Sequence, residues 1–268
     1  LLTDTHCHLY ADAFDQDRSE VMQRAISAGV GRILLPNVDE ETWHKLPELV
    51  ALSSPALGLY PMLGIHPCSV DDGWQELWAR MKADLGDTLS QDKSSEPQPL
   101  TYVGIGEIGI DLYWRQDNLA LQKEAFMAQV YHAIELDLPV CIHSRESLDM
   151  ILDCTLETSF RGVYHCFGGT LEQARCIMER GQYLGIGGTV TFKSNHALRD
   201  VLKSIGPEKV LMETDSPYLA PVPYRGQRNE PGMVSEVARC LGEIWGMSAQ
   251  EAGAICSRNA SDLWGIKS

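Results

Sequence analysis

In the stretch Thr3-Asp4-Thr5-His6-Cys7-His8-Leu9, two histidines stand one residue apart. Alternate side chains of an extended strand share a face, so His6 and His8 point one way and Cys7 the other. Two imidazoles aimed at one point make half of a metal site. Further ligand types close later apolar runs: His66 in Gly64–Pro67, Glu107 in Gly104–Gly109, His143 ahead of Arg145, His165 in His165–Gly169, and Asp215 in Glu213–Pro217. One ion takes about four such ligands, so His6, His8, Glu107, His143, His165 and Asp215 together point to two ions sharing a carboxylate. Glu107, from a central strand, is the candidate for sharing. His6, His8 and Asp215 then complete the first set, and His143 with His165 the second.

The elements that must position these residues alternate in type. Short apolar runs read as strands at Leu2–His6, Arg32–Asn37, Tyr60–His66, Tyr102–Glu107, Pro139–His143, Gly162–His165, Tyr183–Gly187 and Val210–Asp215. Amphipathic stretches read as helices at Gln16–Ala28, Glu40–Leu52, Trp74–Leu85, Asn118–Leu136, Ser147–Thr158, Leu171–Arg180 and Ala197–Ser204, with two more at Met233–Trp245 and Ala249–Leu263. Eight strand–helix repeats with strands apolar on both faces predict an α/β fold of the (β/α)8 TIM-barrel type, with one catalytic domain over residues 1–268. In that fold every strand C-terminus faces one mouth, where the ligand types would gather. An open doubly wound sheet is the structural competitor. Gly29, Gly181 and Gly206 follow helical patterns as C-terminal stops, and Ser248 with Glu251 forms a capping box. The polar stretch Asp87–Pro99 reads as an exposed loop within one connection.

Composition narrows the function classes. Hydrophobic residues at 44% support a large core, and a net charge of −15 argues against a broad basic nucleic-acid face. A phosphate substrate stays compatible, because bound cations bring positive charge locally. The eight cysteines form no CxxC pair and read as reduced, packed thiols. No basic-plus-apolar leader and no run of about 20 apolar residues is visible, so a soluble cytoplasmic protein is expected.

The stretches Asp4–His8, Gly64–Pro67, Gly104–Asp111, His143–Arg145, His165–Gly169 and Glu213–Pro217, in this order, resemble the TatD family of metal-dependent deoxyribonucleases, among the amidohydrolase-like barrels. The resemblance spans essentially the whole chain. It implies two divalent cations (Mg²⁺, Mn²⁺ or Zn²⁺) on the ligands above, and hydrolysis of DNA phosphodiesters, often from the 3′ end. It also implies that Glu107 fills the bridging place that a carboxylated lysine takes in many related barrels. The expected partner is therefore DNA, single-stranded or at a 3′ end, with no membrane and a monomeric chain. Two such ions activate a water for in-line attack on phosphorus. Asp215 is the candidate general base, and Arg145 offers a planar fork to phosphate. His66 is the candidate for a phosphate hydrogen bond or for protonating the leaving oxygen. Glu213 either supports a ligand or pairs with Arg145. The rival reading keeps the metals and changes the substrate, to a lactone, amide, ester or aminoacyl-tRNA. A non-catalytic barrel that keeps metal for stability is the alternative of another class.

Other residues receive plainer readings. Asp4 lies deeper than His6 and is expected to hydrogen-bond inside the barrel. Cys7 and Cys166 are expected to face away from the ligands and pack. His44, His132 and His196 are expected at the surface. Gly104-Ile105-Gly106-Glu107-Ile108-Gly109 matches a dinucleotide fingerprint, but no helix opens after it, so its glycines are expected to let the backbone turn tightly around Glu107. Tyr113 and Trp114 either stack a base or cap the barrel.

Overall fold

Short strands and helices alternate through residues 1–90 and 100–266, the part of the chain that the structure, a computed structural model, describes. The strands are β1 Leu2–Asp4, β2 Val30–Leu35, β3 Gly58–Leu63, β4 Gly104–Asp111, β5 Val140–Arg145, β6 Gly162–Tyr164, β7 Tyr183–Ile186 and β8 Val210–Met212. The helices are α1 Arg18–Ser27, α2 Glu40–Val50, α3 Trp74–Ser90, α4 Leu119–Glu135, α5 Leu148–Cys154, α6 Leu171–Glu179, α7 His196–Ile205, α8 Val234–Trp245 and α9 Ala249–Trp264. The strands form one eight-stranded sheet in sequence order, β1 to β8, which is the order of a TIM barrel. Strands such as β2 and β4 are buried along their whole length, as a parallel sheet covered by helices requires.

The chain divides into two compact units. The first comprises Leu1–Leu35, Ser53–Leu59 and Val163–Ser268, and the second Pro36–Leu52 with Tyr60–Gly162. In the first unit, β1 pairs with β2 and β7 pairs with both β6 and β8, all parallel. In the second unit, β4 pairs with β3 and β5, also parallel. The β4–β5 register slips between Ile105 and Ile108, where three steps on β4 match two on β5. That bulge falls at Gly106-Glu107 and shifts the side-chain alternation for the rest of β4, so Glu107 is re-aimed relative to a regular strand.

Helix ends follow local chemistry. Capping boxes start α2 (Asp39 with Thr42), α6 (Thr170 with Gln173) and α9 (Ser248 with Glu251). Gly206 ends α7 with φ at 74°, a conformation that needs no Cβ. Helix α4 turns two buried glutamines toward strand ends. Gln129 Oε1 accepts the Ile65 N–H at 2.8 Å, and Gln122 Oε1 accepts the Asp111 N–H at 2.9 Å. Both amides would otherwise be buried donors without a partner in the ladder.

Several expectations change. Strands β1, β3, β6 and β8 stop one to three residues before the ligand types, so His6, His66, His165 and Asp215 stand on loops just past the pairing. Of the loop expected over Asp87–Pro99, residues 87–90 extend α3, and the rest lies outside the described residues. His132 is not a surface residue: its side chain is largely covered and meets the Trp78 ring edge-on at 5.8 Å. The fingerprint-like glycines lie inside a strand and do not form a turn. A Cβ on Gly106 would meet Cys141 Cβ at 2.5 Å, and one on Gly109 would collide with the His143 carbonyl, so glycine permits the close approach of β4 to β5. Among the described residues no helix is long and apolar enough to cross a membrane, and all eight cysteines are free thiols.

Candidate metal centre

In the first unit the loop after β1 is laced to the loop after β8. The Asp215 N–H donates to the His6 carbonyl at 2.8 Å, and the His8 N–H to the Ser216 carbonyl at 2.9 Å. Asp4 reinforces the seam: its carboxylate accepts from the Thr214 N–H at 2.9 Å and the Thr214 hydroxyl at 2.5 Å. Burial pushes the Asp4 carboxyl up to about 8, against those hydrogen bonds. Asn229 donates to the carbonyls of Thr214 at 2.8 Å and Tyr218 at 2.6 Å, holding the other side of the loop.

This lacing brings ligand atoms together. His6 Nε2 lies 3.2 Å from His8 Nε2, His8 Nε2 lies 3.2 Å from Asp215 Oδ1, and His6 Nε2 lies 3.7 Å from the same oxygen. Ligands bound at about 2.1 Å stand about 3.0–3.4 Å apart on a tetrahedral or octahedral ion, so this triangle fits a small cation. Two imidazole nitrogens facing each other at that distance are both satisfied as acceptors by an ion. The His165 ring stacks on His6 at 3.7 Å, and its ligand atom falls in one group with those of His6 and Asp215. The sequence reading set His165 beside His143; within this unit it stands with His6. Burial pushes the Asp215 carboxyl up, but the His8 hydrogen bond and the His165, His6 and His8 charges outweigh it and hold the group below its usual range.

His8 and His165 each have their second nitrogen occupied. His8 Nδ1 lies 2.6 Å from the Tyr10 hydroxyl, and His165 Nδ1 lies 3.1 Å from Glu213 Oε1. Such partners fix ring orientation and leave Nε2 for an ion. Glu213 Oε1 also accepts the Cys166 N–H at 2.6 Å, while Glu213 Oε2 is buried with no hydrogen-bond partner among the described residues. A buried carboxylate oxygen of this kind fits a site built for positive charge. Gly185 makes the room, because a Cβ there would collide with that carboxylate. Cys166 departs from expectation. Its thiol turns toward Asp215 Oδ2, 3.9 Å away, and its ligand atom groups with those of His165 and Glu213. Strand alternation no longer applies there, since pairing ends at Tyr164 and Cys166 has a left-handed φ of 47°. Burial pushes that thiol up to about 12, so it stays protonated. Cys7 packs as expected, fully buried with its sulfur 3.0 Å from Ser216 Oγ.

The second unit gathers a different set. His143 Nδ1 lies 2.8 Å from Glu107 Oε1, and His143 Nε2 lies 2.9 Å from Asp111 Oδ2. Register places His143 opposite Gly109 and Arg145 opposite Asp111, which sets this geometry. Burial pushes Asp111 up, but the His143 contact and the Trp114 amide dominate and bring it down to about 2. His66 Nε2 lies 3.6 Å from Glu107 Oε1, and its ring meets His143 edge-on at 4.4 Å. His66 Nδ1 accepts the Cys68 N–H at 3.1 Å, so a neutral His66 carries its proton on Nε2. Arg145 is exposed and lays its guanidinium over Tyr113, 4.1 Å from the ring centroid; among the described residues it has no ion-pair partner. Glu213, the other partner considered for it, is instead engaged by His165 and Cys166.

Sequence reading missed Tyr10 and Asp111. Their signals were modest: Tyr10 lies two residues past His8, and Asp111 four past Glu107.

Strand ends bearing imidazoles and carboxylates at ionic spacing, on an α/β barrel, define a barrel of the metal-dependent hydrolase class. The chain belongs to the TatD-related DNase family, which it matches over residues 3–265. It is 35% identical over 269 residues to a Bacillus subtilis protein named as an uncharacterized metal-dependent hydrolase, YabD, covering 99% of this chain and 100% of that one. It is 31% identical to a Citrobacter rodentium protein named 3′-5′ ssDNA/RNA exonuclease TatD, covering 98% of this chain and 97% of that one. The crystal structure of the TatD homologue YjjV from Escherichia coli K12 superimposes with a TM-score of 0.86 at 28% identity, covering 99% of this chain and 98% of that one. The fold is a TIM barrel.

Proposed function

We propose that this chain is a metal-dependent phosphodiesterase that removes nucleotides from single-stranded DNA, working from a 3′ end as one catalytic domain over residues 1–268. The observation that carries phosphate over a carbonyl substrate is Arg145. It is an exposed guanidinium without an acidic partner among the described residues, two positions past the ligand-type His143 on β5. The relative named as a 3′-5′ ssDNA/RNA exonuclease supports the same reading. Eight free thiols suit a reducing, cytoplasmic setting.

Divalent cations, when bound, make water a nucleophile at neutral pH and neutralise charge on phosphate oxygens. His6, His8, His165 and Asp215 would hold one of them, and Glu107 with His143 another. Tyr10, Glu213 and Asp111 orient the rings of His8, His165 and His143, and would leave the other nitrogen of each to a bound cation. Asp215 is ionised at neutral pH and takes the proton of the attacking water on its carboxylate. Arg145 pairs its fork with a non-bridging phosphate oxygen. His66 suits a donor role, because the Cys68 N–H occupies Nδ1 and leaves a neutral ring's proton on Nε2. From there it protonates the leaving oxygen.

The test is nucleotide release from a single-stranded oligonucleotide with Mg²⁺, Mn²⁺ or Zn²⁺ added. Wild type should release nucleotides, and Glu107→Ala or His143→Ala should not. No release by metal-loaded wild type, or an intact rate in both variants, overturns the reading. Steep loss of binding with salt is expected of a phosphate-contacting enzyme and not of a lactone or amide hydrolase.

A further inference from the structure

The turn after β4 exposes two aromatic side chains: Tyr113 is 50% exposed and Trp114 65%. An indole at a loop tip is ordinarily free to wander, but the backbone of this one is pinned. Asp111 Oδ1 accepts the N–H of Tyr113 at 2.9 Å and of Trp114 at 2.6 Å. The other oxygen of that carboxylate is the one 2.9 Å from His143 Nε2. A single buried side chain therefore sets both the aromatic turn and a ligand-type histidine. Arg145, the register partner of Asp111, covers Tyr113 at 4.1 Å and stands 5.5 Å from the Trp114 ring centroid. The two aromatic rings meet edge-on, 4.8 Å apart at 89°. The guanidinium thus lies over both rings but closer to Tyr113, and Trp114, the more exposed of the two, keeps surface open beside it.

We infer that Trp114 is the stacking platform for an unpaired nucleobase flanking the phosphate that Arg145 holds. The occupant follows from the pairing of features. A flat apolar face beside an uncompensated, planar cation matches a flat base joined to an anionic phosphate. Stacking on an aromatic ring tolerates every base, so the platform confers preference for a single strand without preference for sequence. A base within a duplex already has both faces stacked and cannot take this place. The turn's fixed geometry lowers the ordering cost of the contact, because the indole backbone is set before substrate arrives. The inference rests on the phosphodiesterase reading and names one subsite of it.

The experiment uses metal-loaded, full-length protein and compares wild type, Trp114→Ala and Trp114→Phe. The substrates are a single-stranded oligonucleotide and the same strand with its last two residues abasic. KM on the normal strand should rise about tenfold in Trp114→Ala and largely recover in Trp114→Phe, as loss and return of one aromatic stack require. On the abasic strand the difference between wild type and Trp114→Ala should vanish. Equilibrium binding of both strands to metal-free protein should show the same pattern. Equal KM and equal binding in Trp114→Ala and wild type overturn the platform, as does a loss that persists on the abasic strand. If wild type cleaves the normal strand while those outcomes appear, the phosphodiesterase reading stands and only the platform falls. If wild type neither binds nor cleaves it, both fall.

Discussion

The two ligand clusters solve the same problem differently. In the first unit three histidines and Asp215 stand together, largely buried, and His8 Nε2 lies at 3.2 Å from both His6 Nε2 and Asp215 Oδ1. In the second unit both nitrogens of His143 already lie within hydrogen-bond distance of carboxylates, Glu107 and Asp111, and His143 is partly exposed. An ion entering the first cluster would replace the longer, 3.2 Å contacts of His8 with His6 and Asp215. An ion entering the second must displace a charge-assisted hydrogen bond between Glu107 and His143. The expectation is that the first cluster, whose internal contacts are longer, holds an ion more firmly than the second, where a 2.8 Å His143–Glu107 contact would have to yield.

The largest effects bear on that ranking directly. His6→Ala and His143→Ala should each lower hydrolysis by more than about 100-fold, the upper end for losing a residue that only orients a ligand. Metal content after dialysis should separate them: His6→Ala should lose most of the ion that wild type retains, and His143→Ala little. Elemental analysis showing the reverse breaks the comparison.

Orienting residues come next. Asp111→Asn should cost roughly 10–100-fold in kcat/KM, and Tyr10→Phe at the lower end of that range, since a hydroxyl steers a ring less firmly than a carboxylate does. Equal activity of Asp111→Asn and wild type would mean that His143 needs no partner on Nε2.

The smallest effect separates the frame of the first unit from its ion site. Asp17 and Glu230 interlock with Arg24 and Arg228 in ion pairs that include none of the ligand histidines. Hydrogen bonds from Arg228 and Arg24 hold Asp17 well below the usual carboxylate range. Burial raises Glu230, but its bonds to Arg24 and Arg228 outweigh that and lower it. Carboxyls depressed in the folded state stabilise it fully above their ordinary pKa, near about 4, and the gain is lost as pH falls through the lower folded values. Arg228→Gln should thus melt a few degrees below wild type at neutral pH, and the gap should begin to close only as pH falls below about 4, toward the lower folded values. Parallel melting curves across that window would show that the network does not stabilise the fold.

The site was partly legible in the chain alone because metal chemistry restricts residue types so sharply. His6 and His8 on one strand end, Glu107 among glycines, and Asp215 after an apolar run were all visible by type and spacing. Asp111 was not, because its role depends on a β4–β5 register that places it against Arg145 and within reach of His143. Nor was the orientation of Cys166, because alternation holds only while a strand is paired, and the chain there has already turned left-handed.

What the sequence by itself determined is the alternation of eight strands with helices, the ligand types, and their order along the chain. Hydrophobic periodicity and donor chemistry are local properties, readable a few residues at a time. Tertiary structure alone decided which ligands meet. It stacked His165 on His6, bound His66 Nδ1 to the Cys68 amide, and used a bulge to re-aim Glu107. Those outcomes depend on register, loop backbone angles and hydrogen bonds between segments as much as 210 residues apart, such as Asp4 with Thr214.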